Sequence, residues 1–326
     1  MMNLITYAHS EIEHFDGVLF RIGDFEWRFY SVMIMTGIIV AVVLGILEGK
    51  KLGILTDDIL DGVLIIVPLS IMGARLWYVL FELSSYLAVF KNSGFVDGLI
   101  NVINITNGGL AIHGGIFVAF ISAYIYCKKK DIKIFRVVDL MAPGFLIAQA
   151  FGRWGNFFNH EAHGGVIGGT LNGDPALSLD EQRAFLTDTL HLPKFIVDNM
   201  YIRDTTEFYQ AVYYHPTFLY ESMWNLVGFI IMLVIRRTKW LRQGELLSFY
   251  LIWYSIGRYF IEGMRTDSLY VLNTGIRTAQ LTSILMILAG IVLTYLIRTV
   301  FNQPTYFEAL EEVKEQNTLQ NTKKEL

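Results

Sequence analysis

Charge is scarce in this sequence. Its 26 Lys and Arg and 30 Asp and Glu make up 17% of 326 residues, against about a quarter in soluble globular domains. Hydrophobic residues reach 53% and mean hydropathy is +0.44. That balance excludes an ordinary soluble domain and makes the bilayer the solvent. Cysteine is almost missing too. The single thiol, Cys127, stands beside Lys128, Lys129 and Lys130, so no internal disulfide forms, and a thiol reacting on the outer side belongs to a substrate. The chain also lacks a long basic stripe with interleaved aromatics, which excludes nucleic-acid binding. A basic leader is absent as well: the first 28 residues hold Glu11, Glu13, Asp16, Asp24 and Glu26. The N-terminus is therefore expected to be retained and to start outside.

A helix crossing about 30 Å of hydrocarbon needs roughly 20 mostly apolar residues. Seven segments approach this: 29–47, 62–81, 109–127, 137–157, 217–235, 246–262 and 280–297. The fourth is the weakest, because Asp139, Pro143, Gly152 and Arg153 interrupt it. Lys50 and Lys51 follow the first segment. Lys128 to Lys130, Lys133 and Arg136 follow the third, and Arg236, Arg237, Lys239 and Arg242 the fifth, whereas the connection at 84–107 has only Lys91. Basic connections stay in the cytoplasm. The expected fold is thus an all-α polytopic membrane protein with an extracytoplasmic N-terminal segment (1–28), seven transmembrane helices (29–297) and a cytoplasmic tail (298–326). An insertion at about 165–214 is too long for a plain connection and is expected to form a small extracytoplasmic subdomain.

Polar residues within such segments are expensive and usually face a site. In this topology Tyr30, Arg75, His113, Arg153, Asn156, Glu161, His215, Tyr220, Glu221, Arg258 and Glu262 all fall in the outer half of the bilayer; Asp139, near the inner end of the fourth segment, is the exception. Arginines clustered with His and Glu at that depth suit an anionic ligand of the outer leaflet, because guanidinium pairs bidentately with phosphate. A phospholipid headgroup meets that description. The alternative is that each arginine snorkels to the interface or pairs with a neighbouring glutamate.

Four stretches are specific: GGLAIHGG at 108–115, GRWGNFFNHEAHG at 152–164, HPTFLYE at 215–221 and GRYFIEGMRTD at 257–267. Together they resemble the prolipoprotein diacylglyceryl transferase family, whose signature G-R-x-G-N-F-x-N-x-E-x-x-G is matched from Gly152 to Gly164. The resemblance runs from Tyr30 to Gln280. It implies transfer of the diacylglyceryl part of phosphatidylglycerol to the lipobox cysteine of prolipoprotein signal peptides in the bacterial cytoplasmic membrane, leaving a thioether and glycerol phosphate, the first step of lipoprotein maturation. It also implies an important tyrosine at Tyr30 and an essential histidine at His113. The signature residues fall on Arg153, Asn156, Glu161 and Gly164, and the later Arg and Glu on Arg258 and Glu262. Two departures stand out: Ser31 follows Tyr30 where glycine is usual, and Phe218 replaces a common glutamine.

The chemistry of that reaction suits these residues. A thiol of pKa about 8.5 must ionise, and a neutral His113 accepts its proton. Arg153 and Arg258 stabilise the charge that gathers on the departing phosphate, with Glu262 holding Arg258 by an i,i+4 pair. Arg75, Asn159, His215, Tyr220, Glu221 and Arg265 complete the expected substrate-binding set. The glycines around His113 allow close approach of backbone or lipid, or else serve helix packing. No cofactor is implied. A metal site is disfavoured, since the run from His160 to His163 lacks the two-residue gap of H-E-x-x-H and leads into Gly164 and Gly165. Trp27, Trp77, Trp154 and Trp253 are expected to be interface anchors. Two rival functions remain at this point: an intramembrane anion transporter, which needs charge through to the inner side, and a non-catalytic lipid-binding subunit, which needs the arginines but not His113.

Overall fold

The computed structural model describes residues 15–23, 25–105, 108–169, 177–203, 211–265, 269–271 and 274–325, with backbone only at 25, 317, 320, 321 and 323–325. Glu11, Glu13 and Asp24 of the acidic N-terminal segment, Asp267 of the last motif and parts of the 165–214 insertion lie outside these residues. A hairpin of β1 (Val18–Ile22) and β2 (Phe25–Arg28) leads into α1 (Phe29–Gly49), followed by α2 (Thr56–Phe81), α3 (Leu83–Ser93), α4 (Phe95–Ile103), α5 (Ile112–Lys129) and α6 (Ile134–Phe158). Then come α7 (Leu179–Ala184), α8 (Lys194–Asn199), the short strands β3 (Tyr201–Ile202) and β4 (Val212–Tyr213), α9 (Thr217–Ile235), α10 (Glu245–Met264), α11 (Thr278–Thr299) and α12 (Tyr306–Glu325).

Five helices among the described residues are long and apolar enough to cross a membrane, beginning at Phe29, Thr56, Ile134, Thr217 and Thr278. Their outward faces carry exposed apolar side chains, such as Ile39, Val43 and Leu47 on α1 and Leu285, Leu288 and Val292 on α11. Such surface would be unfavourable in water and suits lipid. The other two expected segments also form helices, α5 and α10, but neither reaches the same apolarity. Lys128 and Lys129 fall inside the end of α5, and α10 contains Arg258 and Glu262. Conversely, the segment expected to be most interrupted is one continuous helix, α6, which passes through Pro143. The connection at 84–107 holds α3 and α4, joined at Gly94 in the left-handed region (φ 91°).

The chain forms two compact units. In the first, residues 1–44 and 139–311, α1 crosses α6 closely through small residues: a Cβ on Gly37 would come within 3.0 Å of Ala148, and one on Gly144 within 3.2 Å of Ala41. Close backbone approach of this kind drives helix association in lipid. Helices α9 and α10 are pinned by Trp224 and Trp253, whose indoles stack at 4.3 Å and donate to each other's backbone carbonyls at 2.9 and 3.0 Å. Gly228 and Gly257 leave room for the two rings. Trp253 is thus a helix-packing residue and not the interface anchor expected of it. In the described part of the 165–214 insertion Ile167, Leu186, Ile196, Val197, Met200 and Tyr213 share one core with Phe157 of α6 and Phe218 of α9. Burial pushes the Tyr213 phenol up to about 12.

Asp139, the polar residue at the inner end of α6, has a structural explanation. Its buried carboxylate accepts from the backbone N–H of Gly244 at 2.7 Å and of Leu246 at 3.1 Å, capping the first turn of α10, where such donors have no partner within the helix. Beside it Arg298 donates to Glu245 at 2.5 and 3.1 Å. Replacing Asp139 by alanine is expected to strand two buried donors at about 1–3 kcal/mol each, and so to lower the thermal midpoint of the detergent-solubilised protein. An unchanged midpoint would mean that the cap contributes nothing.

The second unit comprises residues 45–138 and 312–326. Here α2 packs on α5 through Gly73, Ala74, Gly114 and Gly115, and Glu312 of α12 pairs with Arg136 at 2.5 Å and Lys133 at 3.2 Å. Those cations hold the Glu312 carboxyl below its ordinary pKa, chiefly through the Lys133 hydrogen bond.

Candidate active site

The residues expected from the second, third and fourth motifs come together in the first unit. Arg153, one turn before the end of α6, pairs with Glu221 of α9 at 2.7 Å. Arg258 of α10 lies 3.5 Å from the other oxygen of the same carboxylate and 2.6 Å from Glu262. Three helices therefore meet at one carboxylate. Their sequences dictate the contact: Glu221 lies in the first turn or so of α9, Arg258 and Glu262 share a face of α10 at i,i+4, and the two helices are antiparallel.

The burial of the four groups is unequal, and this shapes the chemistry. Glu221 and Glu262 are 3% and 4% exposed, whereas both guanidinium side chains are 19% exposed. The carboxylates form the floor and the arginines the accessible layer above it. Two buried negative charges offset two positive ones, which makes the desolvation of each tolerable. The Arg258 Nη1 is buried and makes no hydrogen bond. Beyond the ion pairs, Arg153 reaches Asn156 only at 3.5 Å. Both guanidinium side chains keep a partly exposed face, an arrangement that suits an anion with several oxygens.

Tyr254 also borders the cluster, close to Arg153, Arg258 and Glu221. Arg277, at the N-terminus of α11, donates to the main-chain carbonyl of Glu262. Both were absent from the expected set. Tyr254 was detectable in principle, since it lies one turn before Arg258 on the same face; Arg277 carried no comparable signal, because its partner is a backbone atom.

The other expected residues surround this centre. The Tyr30 ring lies against α6 at Gly155, where a Cβ would come within 2.8 Å of it. Asn159 approaches Glu161 at 3.5 Å. The exposed Glu161 is flanked by His160 and Ala162, both in the left-handed region (φ 54° and 58°). Left-handed non-glycine residues cost on the order of 1–3 kcal/mol each and cluster at functional sites. Gly164 and His215 form a short antiparallel contact, with Gly164 donating to the His215 carbonyl at 2.9 Å and His215 donating to Gly165 at 3.0 Å. Any side chain at Gly164 would strike His215 and Thr217. Burial lowers the His215 imidazole below its ordinary pKa, so it is neutral at pH 7, and its Nδ1 is 3.4 Å from the Tyr220 hydroxyl. Arg265 forms a bridge with Gly164.

His113 and Arg75 belong to the second unit. His113, expected five residues into its segment, is in the first turn of α5, because that helix begins only at Ile112; its side chain is exposed. Gly114 and Gly115 beside it face α2, so their role is helix packing: a Cβ on Gly114 would come within 2.5 Å of the Gly73 carbonyl, and one on Gly115 within 3.3 Å of Ser70. Arg75 is buried against main-chain carbonyls. No group of three or more His, Cys, Asp or Glu able to hold a metal ion occurs among the described residues.

Comparison with known proteins agrees with these motifs. The family model for prolipoprotein diacylglyceryl transferase matches residues 17–296. A phosphatidylglycerol–prolipoprotein diacylglyceryl transferase of Bacillus cereus (strain G9842) is 41% identical over 283 residues, covering 87% of this chain and 92% of the relative. Proteins of the same name from Staphylococcus aureus (strain MSSA476) and Staphylococcus xylosus are 42% identical over 293 residues and 39% identical over 295 residues. Each alignment covers 90% of this chain, and 93% and 94% of the respective relative.

Proposed function

The chain belongs to the prolipoprotein diacylglyceryl transferase family, and from that premise we propose that it transfers diacylglyceryl from phosphatidylglycerol to a prolipoprotein cysteine, the first step of lipoprotein maturation. The observation that carries the mechanism is the pair of partly exposed arginines held on two buried carboxylates. The thiolate sulfur attacks the glyceryl carbon that bears the phosphate ester. A C–S bond forms, the C–O bond breaks with its electron pair staying on oxygen, and glycerol phosphate departs. Arg153 and Arg258 stabilise the charge that builds on the phosphate oxygens. Glu221 and Glu262 orient the two forks, and Tyr254 and Arg277 support them. His113 takes the proton of the incoming thiol. Tyr30, Asn156, Asn159, Glu161, Gly164, His215, Tyr220 and Arg265 form the surrounding substrate surface. A non-catalytic lipid-binding subunit would need none of this proton chemistry, and an anion transporter would need charge through to the inner side.

Phosphatidylglycerol labelled in its headgroup glycerol tests the proposal. Label is expected in water-soluble glycerol phosphate only when a cysteine-bearing lipobox peptide is present. Release without the peptide would point to a phospholipase, and retention of all label in lipid would remove the proposal.

The placement in the membrane is part of the same reading. All seven long helices from α1 to α11 cross the bilayer, α5 and α10 included, with 1–28 and the 165–214 insertion outside, 298–326 inside, and the active site toward the outer leaflet. The basic residues after α1, α5 and α9 support it. A reporter active only in the cytoplasm is expected to work when fused after Lys130, Arg242 or Leu326. Activity from a fusion within 177–203 would reverse the orientation.

A further inference from the structure

Arg75 was expected to bind substrate, but its guanidinium is already occupied. Nε donates to the Val102 carbonyl at 2.8 Å and Nη2 to Asn101 at 2.7 Å, while Nη1 donates to Gly108 at 3.0 Å and Gly109 at 2.9 Å. The Tyr78 and Tyr86 rings lie 5.8 and 5.4 Å from it. The carbonyls at Asn101 and Val102 come from the last turn of α4, where such groups lack helical partners and favour a cation. These four bonds engage four of the five N–H donors of the guanidinium, leaving little of the fork for an approaching phosphate. The small cavity of about 200 Å³ lined by Arg75, Asn101, Asn104, Gly108 and Gly109 is therefore poorly suited to an anion.

The sequence that follows these carbonyls gives the arrangement its meaning. Gly108 and Gly109 lead through Leu110, Ala111 and Ile112 to His113. Ala111 donates its N–H to the carbonyl of Ala74, the residue before Arg75, at 3.0 Å. On the far side of His113, Gly114 and Gly115 lie against Gly73, Trp77, Ser70 and Ala74. One face of α2, residues 70–78, thus holds the chain on both sides of His113, whose own side chain is exposed. Gly109 has φ +75°, and a Cβ there would come within 2.9 Å of Tyr78 and collide with the Arg75 guanidinium. The loop and the guanidinium are fitted to each other.

We propose that Arg75 is a positioning residue that fixes the 108–111 loop by its main-chain carbonyls and so sets the place of His113. The inference rests on the reading of His113 as the proton acceptor. Lysine at position 75 keeps the charge but cannot span the carbonyls of α4 and of the loop at once. Misplacement of a reacting group by about 1 Å costs up to roughly 10²-fold in rate.

The test uses the full-length protein in lipid nanodiscs and two variants that attack the same contact from either side, Arg75→Lys and Gly109→Ala. Each is expected to speed amide hydrogen exchange in the peptide covering 108–113 and to lower kcat roughly 10- to 100-fold, with KM for phosphatidylglycerol unchanged. The double variant should be no worse than the poorer single one. A raised KM with unchanged exchange in Arg75→Lys would overturn the proposal and make Arg75 a headgroup ligand. Faster exchange with unaltered kcat would instead overturn the reading of His113 on which it rests, and the His113→Asn variant measured alongside separates that failure from a loss of folding.

Discussion

Replacing Arg153 by alanine is expected to lower transfer by about 10²–10³-fold, the scale of losing one preorganised donor to developing charge. Arg258→Ala is expected to do the same. Lysine should rescue either position poorly, because an ammonium cannot pair with Glu221 and at the same time give two parallel donors to a phosphate. The arrangement also predicts an asymmetry. Glu221 pairs with both arginines, and Glu262 pairs with Arg258, so loss of Glu221 is expected to disturb both forks. Removing one member of a buried ion pair commonly costs 3–5 kcal/mol of stability, so the rate must be compared per folded molecule, with the thermal midpoint measured on the same preparation. Full activity in a folded Arg153→Lys protein would rule out bidentate recognition at that position.

The second large effect concerns His113. If it accepts the thiol proton, His113→Asn should bind phosphatidylglycerol normally but turn over about 10²-fold or more slowly, the usual scale for a lost general base. Raising the pH should recover part of that loss, because more of the substrate thiol then ionises unaided. The side chain is exposed and lies at the start of α5, so the substitution removes no buried contact and a folding defect is not expected. Rates of adduct formation in wild type and variant at saturating lipid, followed from neutral to alkaline pH, decide the matter. Parallel profiles would leave His113 as a headgroup or loop residue.

The helices of this protein were largely legible in the sequence because lipid demands a simple signal, a run of apolar residues of fixed length. All seven expected segments are helical. What the pattern could not give was polarity satisfied by distant partners. Asp139 looked like an anomaly in α6 until the N–H groups of Gly244 and Leu246, more than a hundred residues on, were seen to need it. Arg75 is a second case: sequence gives a cation at the right depth, but not the four carbonyls that accept from it. The helices α3 and α4 within the 84–107 connection left no such signal, because they are too short and too mixed to register as spans. The Arg153, Glu221, Arg258 and Glu262 cluster was the most legible part of the site. Its spacing fixed one pair at i,i+4, and the motif order brought the rest. The missing members, Tyr254 and Arg277, act through an aromatic hydroxyl and a backbone carbonyl, neither of which leaves a charge pattern.

The central claim is a covalent one, and mass measurement addresses it directly. Purified protein incubated with phosphatidylglycerol and a synthetic lipobox peptide should add one diacylglyceryl group to the peptide cysteine, through a bond that survives mild alkali while the acyl esters do not. Glycerol phosphate should appear in equal amount, and a peptide with serine in place of cysteine should remain unmodified. An unmodified cysteine peptide, or an adduct in which alkali frees the original thiol, would contradict the account.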